Sequence, residues 1–341
     1  MESNLQRFLV QLKTWLLFIS VPLLFACEAS DIPINQSRHT AIATYDADIA
    51  DAGNYALVAS VNHGAGYWDL NNDVLVYSWS HGNQDGDEII AVDIAASGNY
   101  AVTATATNIS LWDTKTGKSL GFYKIPDSDL RDLKISNTGR YLVMGLGDGR
   151  VIHLNLKTGR RLEFLGHSEA INSIDISPNG RYVLSGGNDF KAIFWDSKTG
   201  QPIDEWLHNS RVILVSLSRD ASYAFSSGNK ADANIWNLID GNKVASLDLQ
   251  ERQYVLSSAR FSPDNQYLLT GAPSRQLALW QTQSGKLEQL IRVSTRVKNK
   301  PTGAIIYAVG FDSSGNLLSE SSAGWGERWQ KLPLSEQSGN N

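Results

Sequence analysis

Seven copies of one short pattern follow one another between Ala47 and Leu332. Each copy holds an apolar strand-like run, a turn, an aromatic residue, a second alternating run, and then a Trp followed by a polar residue. The seven anchor pairs are Trp68-Asp69, Trp112-Asp113, Leu154-Asn155, Trp195-Asp196, Trp236-Asn237, Trp280-Gln281 and Trp329-Gln330, spaced by 41 to 49 residues. A repeat of this length is typical of a ring of small sheets.

A second marker keeps step with the anchors. The residue 12 or 13 positions upstream is Tyr in six copies and Leu317 in the last: Tyr55, Tyr100, Tyr141, Tyr182, Tyr223 and Tyr267. Runs such as Tyr100 to Trp112 alternate at the strand period, which predicts about four strands per copy. A single small sheet cannot bury both faces, so the copies are expected to pack face to face and close into a ring, with the anchor Trp in the core.

The pattern resembles the WD40 family over about residues 37 to 332. The copy from Ser177 to Gly200 is the clearest. His167, Ser185, Asp189 and Trp195 match the hydrogen-bonded tetrad of the family, so the resemblance implies a structural role for them. The position of Asp189 is kept as Asp148 in the third copy, and elsewhere it is Asn62, Ala106, Lys230, Ser274 and Ala323. Only the fourth copy is therefore expected to have a complete tetrad.

The ends of the chain predict how the ring closes. Only KLPLSEQSGNN follows the anchor pair Trp329-Gln330, and this segment is too short and polar for another strand. The segment from Ser37 to Asp46 is expected to supply the missing outer strand of the seventh blade. The predicted protein is therefore all-β: a signal peptide over 1–26, a lipidated Cys and tether over 27–36, one seven-bladed propeller over 37–332, and a disordered tail over 333–341.

The amino terminus predicts export. Arg7 and Lys13 precede an apolar run from Trp15 to Ala26, which is too short to span a bilayer and suits a cleaved secretory signal. Residues 24–27, Leu-Phe-Ala-Cys, resemble a bacterial lipobox, which implies that Cys27, the only cysteine, is acylated. The alternative is a buried thiol in a signal anchor.

The residue after Cys27 is Glu28, and in lipoprotein sorting the absence of Asp at this position favours the outer membrane. The expected location is therefore the periplasmic face of that membrane. Cleavage would remove Glu2, Arg7 and Lys13, leaving 28 basic and 34 acidic residues and a net charge of −6. Such a mildly acidic chain is not expected to bind nucleic acid.

The sequence contains little that predicts chemistry. Its six His are scattered over different copies and no second Cys is present, so no zinc site is expected. A nucleophile elbow and a phosphate-binding loop are also absent from the sequence. Asp85, Asp87 and Glu88 could hold a calcium ion, but a solvated turn is the simpler interpretation. We therefore predict no cofactor, no metal and no catalytic residue.

The longest insertion, Ile291 to Gly303, predicts a contact surface. It is basic without an acid, inside an acidic protein, and Trp325 lies four residues before its anchor Trp329 on the same predicted face. A basic loop beside an extra Trp has the composition of an interface. The predicted partner-binding residues are Arg296, Lys298, Lys300 and Trp325. The alternative is a solvated loop with Trp325 folded onto its own blade.

These observations predict a non-catalytic scaffold that binds protein partners in the bacterial envelope. A competing hypothesis is an enzyme or small-ligand receptor that uses the central channel, which would require polar residues from several blades. The small residues near Ala91 to Ala96 instead suggest a channel lined by Ala, Ser and Gly. A third hypothesis is an envelope-assembly accessory, by analogy with the propeller lipoprotein of the outer-membrane barrel-assembly machine.

Overall fold

The computed structural model describes residues 31–61, 63–82, 88–249, 255–297 and 303–332. These residues form 28 strands and no helix, arranged in seven antiparallel sheets of four strands each. The predicted all-β, seven-bladed propeller is confirmed. Within the same described ranges, no helix is long and apolar enough to cross a bilayer.

Six blades are built from four consecutive strands, and the seventh combines the last three strands with the first. Blades 1 to 6 take β2–β5, β6–β9, β10–β13, β14–β17, β18–β21 and β22–β25 in turn, and blade 7 takes β26–β28 and β1. The strands are β1 (Asn35–Arg38), β2 (Thr44–Ile49), β3 (Tyr55–Ser60), β4 (Gly64–Asp69), β5 (Val74–Trp79), β6 (Ala91–Ile94), β7 (Tyr100–Ala104), β8 (Asn108–Asp113), β9 (Ser119–Lys124), β10 (Leu130–Ile135), β11 (Tyr141–Leu146), β12 (Val151–Asn155), β13 (Arg161–Phe164), β14 (Ile171–Ile176), β15 (Tyr182–Gly187), β16 (Lys191–Asp196), β17 (Gln201–Leu207), β18 (Val212–Leu217), β19 (Tyr223–Gly228), β20 (Ala233–Asn237), β21 (Lys243–Ser246), β22 (Ser258–Phe261), β23 (Tyr267–Gly271), β24 (Gln276–Gln281), β25 (Leu287–Arg292), β26 (Ile306–Phe311), β27 (Leu317–Ser321) and β28 (Trp325–Trp329).

The antiparallel order gives the ring two distinct faces. We call the face that carries the loop entering each blade and the turn between its second and third strands the front face. The back face carries the turns after the first strand and after the third strand of each blade. The first strand of every blade lines the central axis, and the fourth forms the outer rim.

The two sequence markers occupy fixed places in each blade. The anchor residue lies in the third strand, and the upstream aromatic residue begins the second. In blade 4, Tyr182 begins β15, and its neighbour Val183 pairs with the anchor Trp195. The aromatic ring packs on the first turn of the next blade: a Cβ at Gly139 would meet Tyr100, and one at Gly180 would meet Tyr141. Both glycines have positive φ, so the turn needs glycine for its backbone as well as for this close contact.

The ring closes through β1, which pairs antiparallel with β28 from Asn35 opposite Arg328 to Arg38 opposite Trp325. Closure by an amino-terminal outer strand is therefore confirmed, but its position differs from the prediction. The strand begins two residues before Ser37, and Thr44 already belongs to the inner strand of blade 1. The sequence Asn-Gln-Ser-Arg is polar throughout and has no alternation that could have indicated a strand.

Aromatic side chains connect neighbouring blades. Trp79 on the outer strand of blade 1 stacks on Trp112 of blade 2 with ring centroids 4.9 Å apart, and Trp206 stacks on Trp236 at 4.8 Å. Both outer-strand indoles are buried, and each donates its N–H to a backbone carbonyl of the next blade. Stacked aromatic pairs contribute about 0.5–1.5 kcal/mol beyond the area they bury, so these contacts strengthen the interfaces between blades.

Candidate functional site

The predicted tetrad of blade 4 is formed by three of its four members. His167 lies 3.0 Å from Asp189 through Nδ1 and 2.9 Å from the Ser185 hydroxyl through Nε2. The Trp195 indole N–H has no hydrogen-bond partner among the described residues. Its ring stacks instead on Phe164 of blade 3, 4.4 Å away. The group connects the loop entering blade 4 to the turn between its second and third strands.

Blade 5 contains all four tetrad residue types, which the spacing of the repeat missed, and its His208 Nδ1 contacts the acid without an aligned hydrogen bond. His208 Nε2 lies 2.8 Å from Ser226 Oγ, and the Trp236 indole donates to the same oxygen at 2.7 Å. The acid is Asp232, 3.1 Å from His208 Nδ1. The expectation that only blade 4 has all four residues is wrong, because the turn before β20 brings in Asp232 instead of Lys230 at the aligned position.

The pKa values of the tetrad acids agree with a structural role. Burial raises the pKa of Asp232, but the close contact with His208 and the hydrogen bond from the Asn209 amide outweigh it and lower the pKa to about 2. The pKa of Asp189 is lowered in the same way: burial raises it, and His167 then outweighs burial. Both carboxylates therefore stay ionised and hydrogen-bonded at neutral pH.

The structure brings Arg296 and Trp325 of the predicted contact surface to one corner of blade 7 on the front face. Both side chains make internal contacts there. The half-buried Trp325 indole donates to the Thr295 carbonyl at 3.3 Å, and the Arg38 guanidinium lies 5.4 Å from the ring centroid. Arg296 donates to the Ser322 carbonyl at 2.5 Å. Trp325 thus packs on its own blade, while Lys298 and Lys300 lie outside the described residues, as does Cys27.

A buried polar cluster lies beside the closing strand. His39 Nδ1 is 3.0 Å from Glu320, and its ring stacks on Trp68 with centroids 4.5 Å apart. Glu327 accepts hydrogen bonds from Gln36 at 2.8 Å and from the Ser294 amide at 3.1 Å. Burial lowers the pKa of His39, but the charge of Glu320 outweighs it, so the pKa is raised. Burial also raises the pKa of Glu327.

The central channel holds the largest collection of charged groups that sequence reasoning did not anticipate. A cavity of ≈160 Å³ lies along the axis, and most of its lining comes from the inner strands. The carboxylates at or beside it are Asp46, Asp48, Asp51, Asp93, Asp132 and Asp175. The cations are Lys134, Arg219 and Arg260. The expected lining of Ala, Ser and Gly is therefore wrong.

Ion pairs span the channel. Arg260 of blade 6 reaches blade 1, where it lies 2.7 Å from Asp48 and 3.2 Å from Asp51. Arg219 of blade 5 also pairs with Asp51. Because Asp51 and Arg219 lie in the turns after the first strands, this part of the network lies at the back-face end of the channel. Lys134 pairs with Asp93 at 2.9 Å, nearer the middle of the axis.

The inner-strand carboxylates also join neighbouring blades. Each accepts a hydrogen bond at 2.7–2.9 Å from a backbone N–H in the first strand of the next blade. The pairs are Asp46 with Val92, Asp48 with Ile94, Asp93 with Ile135, Asp132 with Ile174 and Asp175 with Leu217. These bonds give the acids a structural use before any ligand is considered.

The channel nevertheless has more acids than cations, and burial shifts the pKa values of several of these groups. Burial raises the pKa of Asp46 to about 7, against the opposing effects of the Val92 amide and Lys134. Burial raises the pKa of Asp132 as well. It would lower the pKa of Lys134, but Asp93 and Asp132 outweigh it and hold that pKa well above its usual value. No group of three or more His, Cys, Asp or Glu in the described ranges is arranged to hold a metal ion.

Comparison with known families supports the architecture. The family profile of the WD domain, G-beta repeat (WD40), matches residues 159–196, which run from the end of blade 3 through the third strand of blade 4. No curated protein sequence matches the chain. The matched repeat and the seven blades together support the WD40 propeller family, whose members are generally protein-interaction scaffolds.

Proposed function

We propose that this WD40-like propeller is a non-catalytic scaffold, acylated at Cys27, that binds protein partners from the periplasmic face of the bacterial outer membrane. The observation that carries the proposal is the closed ring, in which β1 seals blade 7 and leaves no blade incomplete. A preformed surface loses little conformational entropy on binding, so it suits an interaction scaffold.

The distribution of polar groups supports a scaffold over an enzyme. The two buried tetrad histidines are engaged with Ser and Asp on their own blades. They therefore rigidify the front-face loops instead of presenting a base to a substrate. A rigid front face with variable loops is the surface on which we place protein binding.

The anchor rests on residues 24–27 and on the position of the first strand. Only residues 28–34 separate Cys27 from β1, so the proposed lipid and the ring are joined by a short link. Intact mass measurement of the protein extracted from membranes tests the anchor. We expect acyl groups on Cys27, no acylation in Cys27→Ala, and fractionation with the outer membrane. Glu28→Asp should move the acylated protein to the inner membrane.

We place the partner surface at the front corner of blade 7, with Arg296, Lys298, Lys300 and Trp325. Crosslinking in intact cells followed by mass spectrometry tests this placement. A Lys298→Glu, Lys300→Glu variant should lose partners that the parent captures. The matched control is Lys243→Glu, Lys286→Glu, which reverses exposed charges on other blades. An identical captured set in all three proteins would exclude the patch, and capture of nothing would count against the scaffold itself.

A second candidate function, a receptor for a small cationic ligand, is favoured by the charged lining of the central cavity. Residues from six blades contribute charges there, and the pKa of Asp46 is raised to about 7. Thermal unfolding with and without small amines and divalent cations tests it. A cation that stabilises the parent should stabilise Asp132→Asn less, while the exposed-turn control Asp240→Asn should respond like the parent. If no cation in this panel raises the unfolding temperature, the receptor hypothesis fails.

A further inference from the structure

The outer strands of the ring differ sharply in what they expose. In blade 3, β13 presents Arg161 and Glu163, which form an ion pair, and in blade 5, β21 presents Lys243 and Ser246. In blade 1, β5 instead presents three consecutive aliphatic residues: Val74, Leu75 and Val76 are 52%, 44% and 39% exposed. Three adjacent apolar side chains on a solvent-facing rim are unusual for a surface that contacts only water.

The neighbouring outer strand extends this surface. In blade 2, β9 exposes Leu120 by 51% and Phe122 by 58%. The two strands are joined by direct contacts, since Tyr77 on β5 donates to the Lys115 carbonyl at the turn that leads into β9. The apolar residues of blades 1 and 2 therefore belong to adjoining parts of the rim.

The strip also reaches the place where the chain joins the ring. The amide of Ile34, a 55% exposed residue, donates to the Arg328 carbonyl at 2.7 Å. The guanidinium of Arg328 lies 3.3 Å from the Leu70 carbonyl, in the turn that leads into Val74. We call this strip the apolar rim. Its members are Ile34, Val74, Leu75, Val76, Leu120 and Phe122.

The charges beside the apolar rim are mixed, with a basic cluster at blade 2. Lys115, Lys118 and Lys124 are exposed around Leu120 and Phe122, and neither β5 nor β9 contains an acid. The exposed Asp73 lies at the blade 1 end. Aliphatic and aromatic side chains flanked by lysines are the composition of a surface that sits in the headgroup region of an anionic bilayer.

We infer that the apolar rim lies against the lipid bilayer. This inference rests on the proposed acylation of Cys27. Seven peptide steps separate Cys27 from Ile34, so Ile34 can lie at most about 25 Å from an acylated Cys27 even if the link is fully extended. The lipid therefore holds the apolar rim close to the membrane surface.

This contact would orient the whole ring. The outer strands start at the back face, so Ile34, Val74 and Leu120 lie on the back edge of the rim. With that edge on the membrane, the front faces of blades 4 and 5, across the ring from blade 1, point toward the periplasm. Partner proteins would then approach the front face of the ring, which includes the corner of blade 7 where we place the partner surface.

A thiol-reactive fluorophore tests the contact in the full-length, acylated protein. Acylation of Cys27 consumes the only native thiol, so Leu120→Cys provides a single labelling site. Leu207→Cys is the matched control, because Leu207 is an exposed leucine on the outer strand of blade 4. In vesicles of phosphatidylethanolamine and phosphatidylglycerol, we expect a blue shift and quenching by headgroup nitroxide lipids at position 120, and neither at position 207.

The outcomes separate the two proposals. Intact mass reads acylation directly, so an unacylated Cys27 would remove the anchor whatever the fluorophore reports. An acylated protein in which both positions behave as in water would overturn the membrane contact and leave the anchor standing. A shift at position 120 that appears without vesicles and grows with protein concentration would assign the rim to a second copy of the chain.

As a second variant, Leu120→Glu, Phe122→Glu should abolish the protection from hydrogen exchange that vesicles confer on β5.

Discussion

Arg260 on the inner strand of blade 6 extends past blade 7 and places its guanidinium 2.7 Å from Asp48 on the inner strand of blade 1. Nη2 of this guanidinium faces Asp48, and Nη1 donates to the Ile49 carbonyl at 2.5 Å. Along the chain, blades 2 to 5 lie between these two blades, and on the other side of the ring they are separated by blade 7, whose outer strand comes from the amino terminus. The channel ion pairs thus span the same seam that β1 closes on the outside.

Removing this arginine should destabilise the ring. Arg260→Met leaves Asp48 and Asp51 without their shared partner in a largely buried site, and loss of one member of such a pair costs about 3 kcal/mol. Equilibrium urea unfolding, followed by Trp fluorescence, measures the change. Arg181→Met is the control, because Arg181 is mostly exposed in its pair with Asp196, and solvent screening should make its loss much less destabilising. Equal effects of the two substitutions would show that the cross-channel pairs do not stabilise closure.

The ionisation of Asp46 predicts a pH dependence of stability. Its pKa is raised from 3.8 to about 7 in the folded protein. Between these values the folded state holds a proton that the unfolded chain has lost, so the free energy of unfolding falls as pH rises through this window. Asp46→Asn removes this contribution. The free energy of unfolding of the variant, relative to that of the parent, should be higher at about pH 8 than at about pH 4. We expect a difference of roughly 1 kcal/mol, because Asp46 borders a polar cavity.

Unfolding titrations at these two pH values provide the measurement. Asp240→Asn is the matched control, because Asp240 lies on an exposed turn and its pKa is lowered, not raised. It should not share the gain of Asp46→Asn at high pH. A parent protein whose stability does not depend on Asp46 across the window would contradict the raised pKa.

The charges of the central channel were only partly predictable from the sequence. Asp48, Asp93 and Asp175 occupy the same place in three repeats, and Lys134 and Arg260 occupy it in two others. A charge at one fixed position of an otherwise apolar strand could thus have predicted a charged channel. The sequence could not predict which of these residues pair across the axis, because blades 1 and 6 come close together only when the ring is closed.

Replacing the tetrad serine by alanine should lower the free energy of unfolding by different amounts in blades 4 and 5. Ser226 accepts from Trp236 and contacts His208, so Ser226→Ala leaves two buried partners without this oxygen. Ser185 contacts His167 but takes no bond from Trp195, so Ser185→Ala disturbs one partner. We expect Ser226→Ala to cost about 1–3 kcal/mol and Ser185→Ala about half as much, measured by urea unfolding. A larger loss in Ser185→Ala would mean that blade 4 has the stronger network.

The repeat predicted more of the fold than of its polar details. Anchors and upstream aromatics could be placed from spacing alone, because each lies at a matching strand position in every blade. Asp232 was missed because spacing assumes turns of equal shape, and the residue before it, Ala231, has a positive φ. The outer strand β1 was displaced for a related reason: strands that only seal an edge need backbone pairing and no apolar pattern.

The seal itself can be tested at Gln36, which pairs with Glu327 on β28 and donates to its carboxyl at 2.8 Å. Gln36→Glu would replace this donor by a second acid beside a buried carboxyl whose pKa burial already raises. We expect a loss of about 1–3 kcal/mol at neutral pH, and a smaller loss in acid, where one of the two carboxyls takes up a proton. The matched control is Asn35→Glu, since Asn35 lies one residue away, exposed and opposite Arg328. Hydrogen exchange of the β28 amides locates the effect: protection should fall in Gln36→Glu and persist in Asn35→Glu. If both variants keep the protection of the parent, β1 does not control closure and the ring is held by its inner contacts alone.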